Sequence, residues 1–296
     1  MTQIHMPAAP GRGRVVSING APYDGYPAPQ MLESVARLGA SHVEPAYIVG
    51  YTEPFDESSF TEARSTEYAR WLADAGIGCF AMSSHIDLGR PDALTVFAGR
   101  MRFAARIGAK VINTNAAARA NETRFFQHIE PLARLAEELD LVIGLENPGD
   151  GSDNLLNTAA DAAALLARIK HPRVALNYDA GNTISHRLGV ACADDALLAL
   201  PLCAHTHIKD VQRRPEGYFF TALGEGQIGC DRILRAVAAT PLNLSIEIPM
   251  RLHRGPDAQP SRAPFRVPLA DIEARLSAAL AFVESHLDLN TTPTSA

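Results

Sequence analysis

Apolar and polar positions follow one recurring order along the chain. A stretch with apolar residues at helical spacing ends, often at Gly, and a short apolar run of strand length follows and closes on polar residues. Eight such runs occur, at residues 14–19 (RVVSIN), 42–45 (HVEP), 77–83 (IGCFAMS), 110–114 (KVINT), 141–147 (LVIGLEN), 173–179 (RVALNYD), 204–210 (AHTHIKD) and 242–248 (LNLSIEI). Helical spacing is clearest at 29–38, where Met31, Leu32, Val35 and Leu38 share a face ahead of Gly39, and it returns at 91–107, 158–169 and 268–286. Pro131 predicts a kink or a split in the helix before the fifth strand. Strands alternating with helices imply βαβ units and a parallel sheet. Eight units close naturally into a barrel, whereas a doubly wound sheet usually carries a Gly-rich phosphate turn; no G-x-G-x-x-G directly follows any of these eight runs, and the chain has no Walker A motif. The expected fold is α/β, a single (β/α)8 barrel over residues 13–287, with flexible ends at 1–12 and 288–296.

Two connections exceed the usual two to six residues. Residues 46–56 (AYIVGYTEPFD) follow the second strand, and residues 249–267 follow the eighth and carry Arg251, Arg254, Arg262 and Arg266. Both leave the C-terminal ends of strands, where barrels keep their chemistry. The second is expected to form a lid or rim that favours an anionic or highly oxygenated ligand.

Composition narrows the function. Of 296 residues 47% are hydrophobic and 20% charged, enough for a large core. A net charge of −6 argues against a nucleic-acid partner. Cys79, Cys192, Cys203 and Cys230 form no CxxC pair and are too few for a disulfide framework. The N-terminus shows no signal-peptide pattern and no apolar run approaches the roughly 20 residues of a membrane span, so a cytoplasmic protein without a membrane partner is expected.

The polar ends of strands five to eight carry Glu146, Asp179, His205, His207, Lys209, Asp210 and Glu247. Each of the three carboxylates Glu146, Asp179 and Glu247 follows an apolar run directly, where an isolated charge would be costly to bury. Three acids and a histidine on successive strands converge on one end of the barrel and would repel one another; a divalent cation resolves that repulsion. Along AHTHIKD the side chains alternate, so His205, His207 and Lys209 share a face. His207 is nearer the mouth and is the better ligand; His205 reads as a buried, hydrogen-bonded residue.

These motifs together resemble the sugar phosphate isomerase/epimerase superfamily, the xylose isomerase-like TIM barrels, which also include endonuclease IV. The resemblance is carried by the Glu of IGLENP, the Asp of NYDAGN, HIKD on strand seven, the LGEGQI turn (223–228) and the Glu of SIEIP, and it spans roughly residues 14 to 286. It implies one divalent metal, Mn2+ first and Mg2+, Co2+ or Zn2+ as other fits, held by Glu146, Asp179, His207 and Glu247. It also implies a catalytic role for Glu146 and Glu247 as an acid and base pair acting through a metal-stabilised enediolate. The implied activity is isomerisation or epimerisation of a small sugar or polyol carbonyl compound. The alternative is a lyase or dehydratase of a keto-sugar, keto-inositol or keto-glycoside, and a third reading is an AP endonuclease-like phosphodiesterase. Arg213, six residues after the metal His, matches a substrate-holding Arg of the ketose 3-epimerases. Asn182 and Ser152 stand where those epimerases have His and Glu. Substrate contacts are expected from Arg213, Asn182, His85, Glu44, Lys209 and Asn113. The expected partner is a small carbohydrate-like molecule, and association into a homo-oligomer is left open.

Overall fold

The computed structural model describes residues 13–287, so the flexible ends expected at 1–12 and 288–296 lie outside the described residues. Eight parallel strands form the barrel wall: β1 (Val16–Asn19), β2 (His42–Glu44, continued past Pro45 as Ala46–Tyr47), β3 (Gly78–Cys79, continued past Phe80 as Ala81–Ser84), β4 (Val111–Asn115), β5 (Val142–Glu146), β6 (Val174–Asp179), β7 (Cys203–Ile208) and β8 (Asn243–Ile246). Each pairs with the next in sequence, and β8 pairs with β1 through Val16 and Leu244, so the sheet closes on itself. The β2–β3 seam is paired twice, His42 with Gly78 before the breaks and Ala46 with Ser83 after them.

Outward strand residues such as Ile18, Val43, Ile112, Ile143, Leu176 and Leu244 are buried under the helical ring, in one continuous apolar core. The helix Ala28–Arg37 turns Met31, Leu32 and Val35 onto the wall and ends before Gly39, whose φ of +77° is the left-handed conformation that glycine adopts without strain. The helix Glu122–Glu138 runs unbroken past Pro131, against expectation. Pro131 sits on the exposed side, and so does Gln127, whose carbonyl loses its donor four residues on; water can satisfy it there.

The loops at the C-terminal ends of the strands hold a second, antiparallel sheet. Strand seven does not run to Asp210: β7 stops at Ile208, and Asp210–Arg214 starts a hairpin with Gly217–Thr221. The 249–267 segment folds into a further hairpin, Leu252–Arg254 with Pro260–Arg262, which joins the first through Tyr218 and Arg254. Asp210 anchors this rim. Its carboxylate accepts from the backbone N–H of Gly224, Gly226 and Ile228, which fixes the LGEGQI turn. Among the described residues no helix is long and apolar enough to cross a membrane. All four cysteines are buried and free, Cys79 and Cys203 within apolar runs of strand length.

Candidate metal centre

β5, β6, β7 and β8 deliver Glu146, Asp179, His207 and Glu247 to one point at the mouth. Each strand points alternate residues inward, and these four take matching levels: Asp179 stands opposite His207, and Ser245, two before Glu247, also pairs with His207. Each side chain offers one ligand atom, and the four atoms lie within 4.8 Å of one another. All four are buried.

His207 organises the cluster. Its Nδ1 faces Glu247 at 3.0 Å, Glu146 at 3.4 Å and Asp179 at 3.7 Å. Its Nε2 lies 3.0 Å from Glu44. Glu44 in turn accepts from Ser83 at 2.6 Å and from Asn113 at 3.0 Å. An imidazole that donates from Nε2 to a buried carboxylate keeps the Nδ1 lone pair for a cation, the usual device behind a metal-bound histidine. Glu44 and Asn113 therefore correct the expectation of substrate contact: both are wholly buried beneath the ligand set, because β2 and β4 place them one level deeper in the barrel.

Four carboxylates are packed around one imidazole and one ammonium. Lys209 Nζ lies 2.6 Å from Asp179 Oδ2 and 3.0 Å from Glu247 Oε2. The electrostatics follow from these contacts. Burial alone would lower the His207 imidazole, yet Glu44, Glu146 and Glu247 hold it well above its ordinary value. Burial alone would raise Glu146, but His207 and His85 bring it down to about 2. Glu247 is brought to about 2 against the same burial by Lys209 and His207. Burial would lower Lys209, and Asp179 and Glu247 raise it above its usual range instead. His205, behind His207, stays neutral: burial lowers it to about 4, and its two nitrogens are taken by Asn177 at 2.9 Å and Ser245 at 3.1 Å.

The donor set fits a divalent cation. It is three carboxylates and one imidazole, all buried, with their ligand atoms within 4.8 Å of one another. Lys209, whose ammonium carries three N–H donors, meets both Asp179 Oδ2 and Glu247 Oε2 and offsets part of the cluster's negative charge. A second cluster, Glu44, His205 and His207, fits less well because both His205 nitrogens are already bonded.

Above the cluster lies a cavity of about 400 Å3, floored by Glu146, Lys209 and Glu247 and walled by His85, Asn182 and Arg254. Three of the expected substrate residues thus line it. His85 Nε2 is 3.1 Å from Glu146. Asn182 donates to Glu146 at 3.1 Å and to the Asn147 carbonyl at 2.9 Å. Arg213 does not line it. It is exposed, with its guanidinium 6.0 Å from the Tyr218 ring, because the hairpin that opens at Asp210 carries residue 213 away from the barrel axis. Of the four arginines after β8, only Arg254 reaches this cavity: Arg251 and Arg262 pair with Asp24, and Arg266 lies over Tyr26.

Two supporting residues escaped the sequence reading. Asn177 donates to Glu146 at 2.5 Å, and Asn147 holds the turn of Asp179 by accepting from its N–H and donating to its carbonyl, each at 2.9 Å. The signal for Asn177 was present, since it stands two residues before Asp179 and so shares its inward face. A further cavity of about 400 Å3 lies between the loops after β1 and β2, lined by Tyr23, Tyr47, Phe55 and Tyr68, away from the carboxylate cluster.

No curated protein sequence gives a significant match to the chain. Solved structures share the fold. A xylose isomerase-like TIM barrel protein from Mycobacterium smegmatis, in complex with magnesium, is 18% identical with a TM-score of 0.69, covering 93% of this chain and 98% of its own. A D-psicose 3-epimerase studied with D-fructose is 18% identical with a TM-score of 0.70, covering 92% and 99%. A probable 3-DHS dehydratase of petrobactin synthesis from Bacillus anthracis is 15% identical with a TM-score of 0.65, covering 90% and 97%. The family profile described as xylose isomerase-like TIM barrel matches residues 32–267, most of the chain. With the closed eightfold barrel and the acidic cluster at its mouth, that match means that the chain belongs to the xylose isomerase-like TIM barrel family.

Proposed function

We propose that the protein is a divalent-metal-dependent isomerase or epimerase of a small sugar or polyol carbonyl compound. The observation that carries this reading is the convergence of Glu146, Asp179, His207 and Glu247 within 4.8 Å at the floor of a small cavity. These four would hold the ion, Mn2+ by preference. When bound, the ion would supply Lewis-acid polarisation of a carbonyl and positive charge to offset the negative charge that proton removal develops. Asp179 and His207 act as ligands, with Glu44 fixing the imidazole tautomer. Glu146 and Glu247 move the proton: one removes it from the carbon beside the carbonyl, and the other returns it. His85 bridges Glu146 and the cavity, which gives a route for that proton to exchange with water. Asn182 holds Glu146 in place through its amide N–H while its Oδ1, buried and without a donor among the described residues, is free to receive a substrate hydroxyl.

A lyase is the second reading, favoured by Arg254 in the cavity wall and by a dehydratase among the proteins of the same fold. There the same proton abstraction, next to a leaving group, expels it.

The test is turnover by the Mn2+-loaded protein in heavy water, over ketoses, keto-acids, keto-inositols and 3-keto-glycosides, read by NMR. Deuterium on the carbon next to the carbonyl is expected. Conversion without any solvent label would mean a hydride shift and would reduce Glu146 and Glu247 to ligands.

A further inference from the structure

Among the described residues Arg254 is the one strongly basic group of the mouth cavity that is both buried and free of a carboxylate. Its residue is 5% exposed, and no acidic side chain among the described residues lies within ion-pair distance of it. One hydrogen bond is formed, from Nη1 to the Ala258 carbonyl at 3.1 Å. The guanidinium lies 5.2 Å from the Tyr51 ring and directly over Gly149. A Cβ on Gly149 would stand 2.6 Å from Arg254 Nη2 and 2.8 Å from Asn182 Oδ1, so only glycine lets the guanidinium settle beside the residue that holds Glu146. Burial without a partner lowers this guanidinium to about 10.

An unpaired buried cation costs free energy, and such a cost persists where a ligand relieves it. Building on the proposed function, we infer that Arg254 receives a carboxylate of the substrate, so that the site takes keto-acid forms of small sugars in preference to neutral ketoses. The planar fork matches a carboxylate in a bidentate contact. A phosphate fits less well. It wants several cations, but Lys209 is committed to Asp179 and Glu247, and Arg90 at the rim is paired with Asp92. The cavity of about 400 Å3 lies at the small end of ligand sites, sized for a short chain between ion and Arg254.

The probes are D-fructuronate, D-fructose and D-fructose 6-phosphate, which differ only at the terminal carbon. Binding is measured by calorimetry on the metal-free and the Mn2+-loaded protein. D-fructuronate should bind about 10- to 100-fold more tightly than D-fructose, the worth of a charge-assisted contact. In Arg254→Gln that ratio should fall below about 3-fold while bound Mn2+ stays at the level of the parent protein. If Arg254→Gln does not fold, Arg254→Lys is read instead and must lower the ratio, because the charge stays but the fork is lost. Four results overturn the inference: no binding of D-fructuronate, equal or tighter binding of D-fructose, tighter binding of the phosphate, or an unchanged ratio in the variant. Manganese titration without sugar tests the metal centre separately. A chain that binds no Mn2+ sinks the proposed function, and solvent labelling of neutral ketoses without a carboxylate preference sinks only this inference.

Discussion

Replacing Lys209 with Met should unmask the charge stored at the barrel mouth. The ammonium sits 2.6 Å from Asp179 and 3.0 Å from Glu247, and it is wholly buried. At an effective dielectric of about 20, each contact is worth about 6 kcal/mol before desolvation. Taking an ammonium and two carboxylates out of water returns most of that sum. Removing one partner of such a buried pair, and so stranding the other, costs about 3–5 kcal/mol net. For a chain of this size that is a fall of about 10 °C in Tm. Lys209→Met in EDTA should therefore melt about 10 °C below the parent protein. Manganese should restore much of the loss, because a divalent ion meets the same carboxylates, so the metal-induced rise in Tm should be larger in the variant. Scanning calorimetry with and without Mn2+ reads both quantities. A variant that melts within about 1 °C of the parent in EDTA would refute the account of Lys209 as the internal counter-ion of the cluster.

Two other perturbations test the supporting structure. Glu44→Gln removes the anion behind His207 Nε2, 3.0 Å away, and should weaken Mn2+ binding by about 10–100-fold with little change in fold, read by competition with a chelating dye; unchanged affinity would make Glu44 a packing residue only. His186, bonded to Asn157 at 2.9 Å, is brought to about 4 by burial and by Arg187, below the 6.5 of a free histidine. Between those values the unfolded chain binds the extra proton, so stability is lost as pH falls through about 6.5 and the loss is complete near 4. His186→Asn should lose less in its urea midpoint between pH 7 and pH 5 than the parent does, and equal losses would refute the assignment.

The barrel and its ligand cluster were legible because both follow from short-range pattern. Glu146, Asp179 and Glu247 each end an apolar run, and period-two alternation puts His205 and His207 on one face, with His207 at the mouth. The same alternation could have found Asn177. What could not be read locally was depth and direction. Glu44 ends its strand as the others do, yet β2 sets it under His207, and only the register between strands separates the two levels. The rim sheet was hidden for another reason. Leu252–Arg254 and Pro260–Arg262 are three residues each, too short for alternation to show, and the second begins with proline. Without that sheet, four arginines on one loop look equivalent, and Arg213 looks aimed inward; the hairpins sort them, turning Arg254 in and Arg213 out.

Charge balance then suggests an order of events. The carboxylates Glu44, Glu146, Asp179 and Glu247 outnumber the cationic Lys209 and His207, and a divalent ion would offset part of that excess negative charge. Until that ion arrives, an anionic substrate would meet a repelling floor, and Arg254 in the wall would be the one buried cation without a carboxylate partner among the described residues. With the ion bound the floor would be less negative, and the Arg254 charge would weigh more in the cavity. Substrate affinity should therefore depend on bound metal far more for the carboxylate probe than for the neutral sugar, since only the former feels the change of charge. The two proposals are linked by this electrostatics without depending on the same atoms: the cluster of strands β5–β8 decides whether an ion is held, and the hairpin over Gly149 decides which molecules then come to it.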